Sequence, residues 1–198
     1  MPPTPTSRTL ILKLVAQIIV SASDPLDQIL LYKQLLEPAN PFEQIRVQAL
    51  SLLRDAIAAQ KSPIVHPALL EHLCPVLFTI PETSSSTVPH SSLAHLLPQG
   101  PDAPPLQLAK AEFVDTMYPA WFTDSANVLR LLIQKDDTNV SRVREKKWLE
   151  EKMEYWVGPQ IRRLAELRME GEGEAPVEFV LARWHDAIER LRETIVAV

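Results

Sequence analysis

Apolar residues recur at helical spacing along most of the chain, and no run alternates with the two-residue period of a half-buried strand. The clearest case is "NPFEQIRVQALSLLRDAIAAQ", residues 40 to 60. Asn40 is placed to cap, Pro41 stands at the first helical position, and Glu43 follows at capping-box spacing. Ile45, Ala49, Leu52, Leu53, Ala56 and Ile57 then form an apolar face. Upstream, the pattern predicts one helix from about Thr6 to Ala22 and another from Asp24-Pro25 to about Glu37, closed by Pro38. A fourth starts at Pro67, and Pro75, which has no N–H to donate, is expected to kink or end it. Helices resume with "LQLAKAEFVDTMY" and again from Pro119 or Asp124 to Gln134. A further one spans Ser141 to Trp156, with Gly158-Pro159 as its break. "PQIRRLAELRM" makes a short helix stopped by "EGEGE", and the last begins at Pro176 and runs nearly to the end.

Helices that come in pairs joined by short links predict an all-α fold, a HEAT/ARM-like helical array or α-solenoid. Residues 1–78 read as two helix pairs and residues 106–198 as a C-terminal array. Between them, 79–105 is rich in serine and proline ("TSSSTVPHSS", "PQGPDAPP"), the composition of a disordered insertion, with room for a helical turn at Leu93 to Leu97. The first helix is apolar almost all round, which predicts burial on several sides. An end repeat should instead show a polar outer face. The expectation is therefore that preceding repeats or a partner cover this helix.

Composition narrows the function classes. Four glycines against eighteen prolines argue against glycine-rich phosphate loops, and a net charge of −5 supplies no general attraction to nucleic acid. One cysteine, Cys74, allows no internal disulfide and suits a reducing compartment. Lys13 and Gln17 interrupt the apolar run after Arg8, so it reads neither as a signal peptide nor as a membrane span. The expected location is cytoplasmic, with a nuclear pool also compatible. His72 and Cys74 fall on different sides of a helix, and His66, His90, His95 and His185 are scattered, so no metal site is expected. Cys74 among Leu70, Leu73 and Leu77 reads as a small buried hydrophobe. Glu150, Glu151 and Glu154 alternate with lysines as on a solvated face. No catalytic set, cofactor or small-molecule substrate is expected.

Residues 141–169 are the most promising surface. Arg142, Arg144, Lys146 and Lys147 lead the predicted helix, Trp148 and Tyr155 lie two turns apart, and Leu149, Met153 and Trp156 run beside them. One reading makes this stripe core with ordinary solvated charge around it. The other makes Arg142, Arg144, Lys147, Trp148 and Tyr155 a protein-docking face, because tryptophan, tyrosine and arginine anchor interfaces.

Taken together, "LILKLVAQIIVSASDPLDQILLYKQLLEPANPFEQIRVQALSLLRDAI" resembles the glomulin and Yap-binding protein family of eukaryotes. The likeness covers roughly residues 8 to 60: an apolar helix, a short polar turn, a helix ending in a leucine pair, and a proline-bearing turn. The following helix carries Arg46, Leu52-Leu53 and the basic-acidic pair Arg54-Asp55 in the family's order. The resemblance implies a non-catalytic α-solenoid adaptor. Its implied partner is the RING subunit of a cullin-type ubiquitin ligase or, in fungi, a stress-responsive transcription factor. Members are longer and this segment resembles their C-terminal portion, so the family implies preceding repeats. Beyond helix three no motif fixes an alignment, and no contact residue carries over.

Overall fold

The computed structural model describes residues 5–37, 43–59, 65–78, 110–115, 117–170 and 173–198, and these are all helix, turn or irregular chain. The predicted capping residues Asn40 and Pro41, the 79–105 insertion and the 106–109 helix start lie outside them.

The helices are α1 (Pro5–Ser21), α2 (Pro25–Leu36), α3 (Glu43–Ala59), α4 (Ala68–Leu77) and α5 (Lys110–Val114), then α6 (Tyr118–Lys135), α7 (Lys146–Lys152), a π-helical turn (Met153–Val157), α8 (Gly158–Met169) and α9 (Ala175–Val196). The Asp24-Pro25 start is as expected: the Asp24 carboxylate accepts the Leu26 N–H at 2.8 Å and Pro25 opens α2. Packing runs from α4 to α2, α2 to α3, α3 to α6 and α6 to α9, with α5 and α8 also against α9. A single apolar core follows that path, including Ile29, Leu36, Leu50, Leu53, Phe122, Leu129, Trp184 and Ile188.

Polar ties fix the helix contacts. Arg46 is buried in α3, donates from Nε to the Leu36 carbonyl at 3.2 Å and stacks 5.0 Å from the Trp121 ring. A cation there meets the negative end of α2 as well as a free carbonyl. Arg54 holds Asp55 and also reaches Asp124 of α6 at 2.6 Å, where Ser51 Oγ donates as well. In α5, Lys110 pairs with Glu178 of α9, whose carboxylate also accepts the Gly173 N–H at 2.8 Å. Those bonds, the one from Lys110 first, hold the Glu178 carboxyl below its usual range.

Four expectations change. First, α1 is not buried on several sides: Ile19 is buried, yet Leu10, Ile11, Leu14, Ile18 and Val20 are 47–68% exposed, because α1 packs mainly against α2. Second, of the two outcomes expected at Pro75, a kink or an end, the end does not occur: α4 continues to Leu77. The bond it cannot make would go to the Glu71 carbonyl, and both residues face solvent, so water can take its place. Third, the helix expected from Ser141 starts at Lys146, because residues 136–145 form a tight turn. Fourth, Gly158-Pro159 does not break the chain into two helices. Pro159 cannot donate to the Tyr155 carbonyl, and the turn before it widens: the Gly158 N–H donates to Met153 O, five residues back. The helix then runs on into α8.

Leu53 is fully buried between α3 and its neighbours, so Leu53→Ala should cost about 2–5 kcal/mol, read by denaturant unfolding. Near-zero loss would mean that α3 is not packed as described. Tyr32 is buried, and burial, with Asp55 adding to it, pushes its phenol up to about 12. A raised folded value stabilises the protein below the unfolded phenol value of about 10, and that contribution is lost as pH rises toward about 12. Tyr32→Phe should therefore flatten stability against pH above about 10 relative to the parent. Parallel curves for the two proteins would contradict it.

Candidate functional site

The turn that leads into α7 is built around one carboxylate. Asp136 is buried and accepts the Val140 N–H, the Ser141 N–H and the Ser141 hydroxyl at 2.6–2.8 Å. Short polar side chains that bond nearby backbone compete with helix, which is why α7 starts late. Asn139 and Arg142 adopt left-handed backbone, with φ of 53° and 63°. Arg144 closes the turn: its N–H reaches Asn139 Oδ1 at 2.8 Å, and its Nε donates to the Ile133 carbonyl at 2.7 Å. Its guanidinium also reaches Asp137 at 3.3 Å. A cation thus sits on the free carbonyls ending α6, a favourable place for positive charge.

Beyond the turn, α7 and the π turn divide their side chains between core and surface. Leu149 and Trp156 are buried. Trp148 is half-buried, edge-on to Phe78 at 6.2 Å, with Lys152 Nζ 5.6 Å over its ring. Trp156 meets the same Phe78 at 5.3 Å. One extra residue in the π turn rotates the later positions by about 100°. The aromatic that shares the side of Trp148 is therefore Trp156, eight residues on, and Tyr155 points outward, 64% exposed. Its hydroxyl is held above its usual range by the Glu154 carboxylate beside it.

An open groove of about 690 Å³ lies between this segment and the end of α9. Leu149, Met153, Ile195, Val196 and Val198 give it apolar walls, and Arg144, Lys146, Glu150 and Glu154 carry charge around them. It continues past Arg144 along Glu193 and Thr194. Lys146 and Glu150 are 3.9 Å apart on the rim. Val196 is 85% exposed and Val198 57%. An apolar trough with charges of both signs at its edge can seat an amphipathic segment, with apolar anchors below and polar groups beside them.

The five sequence-expected residues therefore do different things. Arg144 lines the groove but is held by the end of α6, and Trp148 is turned toward Phe78. Arg142, Lys147 and Tyr155 are exposed and do not line the trough, and Arg142 is 3.8 Å from Glu145. Met153 was in the expected stripe, whereas Ile195, Val196 and Val198 were missed; the signal for them is the run "TIVAV".

Cys74 packs against the core beside Trp148 and Lys152, and burial pushes its thiol up, with Lys152 and the Trp148 hydrogen bond pulling the other way. His66 is spent on the start of α4, its Nδ1 accepting the Ala68 N–H at 3.2 Å. Among the described residues no group of three His, Cys, Asp or Glu side chains converges to hold a metal, and no helix is long and apolar enough to cross a membrane. No protein-family model, curated protein or solved structure matches the chain.

Because Arg144 holds the α6 end together, Arg144→Ala should lower stability by about 1–3 kcal/mol in thermal or denaturant unfolding. Lys147→Ala, at an exposed position, should stay within about 0.5 kcal/mol of the parent. Equal effects would remove the distinction between the two cations.

Proposed function

We propose that this chain is a non-enzymatic adaptor, a HEAT/ARM-like helical array that binds another protein through the groove between α7 and the end of α9. The observation that carries the reading is the trough itself: exposed Val196 and Val198 beside Leu149 and Met153, ringed by Arg144, Lys146, Glu150 and Glu154. An apolar surface of that kind is costly to leave in water and marks a docking site. The array reading is supported by the short α1–α2 link and by the Arg46 bond to the end of the preceding helix. The partner has an amphipathic segment with apolar anchors for Met153 and Val196 and acidic groups for Lys146 and the exposed Lys147. By the resemblance of residues 8 to 60, it is the RING component of a cullin-type ligase or a stress-responsive transcription factor, met in the cytoplasm or nucleus. The interleaved Glu150, Glu151 and Glu154 disfavour nucleic acid as the partner.

A second reading, a structural subunit of a larger assembly, is favoured by one different observation, the exposed apolar face of α1.

The partner reading is tested by calorimetric titration of the full chain with a purified RING subunit and with a purified stress-responsive transcription factor. One of them should bind, and Met153→Glu with Val196→Glu should weaken it at least about tenfold, or about 1.4 kcal/mol, while the melting temperature stays near the parent's. Binding by neither protein, or binding untouched by the double variant, would sink this assignment of the groove.

A further inference from the structure

We draw no further inference here: the strongest candidate, the exposed apolar face of the α1–α2 hairpin with its shallow groove between Leu14 and Ile18 of α1 and Leu30 and Leu31 of α2, carries nothing because nothing in the structure shows what covers it.

Discussion

Helix α6 is buried on two flanks, against α3 on one and α9 on the other, and both contacts constrain its sequence. From Trp121 to Ala126 every side chain is buried, polar ones included. An unpaired buried polar group costs more than a bond returns, and of the three polar side chains here two find partners, whereas Ser125 Oγ has none among the described residues. Thr123 answers within the helix, donating to the Pro119 carbonyl at 2.7 Å. Asp124 answers across it, taking Ser51 and Arg54 of α3. The charge pair is thus a register mark: sliding α3 along α6 by one turn would strand Asp124 without either donor. On the other flank the mark is aromatic, with Phe122 stacked 5.3 Å from Trp184, and Trp184 5.7 Å from Phe113. Trp184 Nε1 is satisfied by Gln160 Oε1 at 3.0 Å, which ties α8 into the same cluster.

Packing organised around α6 leaves α1 and the end of α9 the less covered parts of the described chain. On one side, α1 packs mainly on α2 and leaves its opposite face in solvent; on the other, the last turns of α9 border the end of α6 and α7 and leave Val196 and Val198 exposed. Hydrophobic burial is non-directional, so nothing in the central packing says what should cover either end. The difference between them is local. The groove between α1 and α2 has Asp27 as its one charged lining residue, and the α9 trough has charges of both signs crowded around exposed valines.

Most of the helices were legible because their signals are local. Asp24-Pro25 and the apolar spacing of residues 45–57 need only a few neighbours to act, and the Arg46 bond follows from a cation placed beside a helix end. The 136–145 turn was not legible, since "SRVREKKW" has good helix formers and nothing in it announces left-handed backbone at Arg142. Asp136, five residues before Ser141, decides the matter by taking its N–H and hydroxyl. The α7–α9 groove was half legible. Met153 belonged to a readable stripe, whereas its far wall comes from residues 195–198, and no periodicity connects segments some forty positions apart.

The π turn shows how one residue sets both sides of that stripe. A regular α-helix through Pro159 would press its ring on the Tyr155 carbonyl, a cost of about 3 kcal/mol or more. Widening the turn before it removes the clash and gives up only ordinary helix geometry, part of which Gln160 restores by donating to the Trp156 carbonyl at 3.1 Å. The widened turn also chooses which aromatic enters the core. With regular spacing Tyr155 would lie on the side of Trp148, and its hydroxyl would need a partner among Phe78 and its apolar neighbours. With the extra residue Trp156 goes in and Tyr155 goes out. Met153 and Glu154, the first residues of the turn, are left facing the end of α9. The proline that reads in the sequence as a stop is therefore what allows one continuous helix to face the core with Trp156 and the groove with Met153.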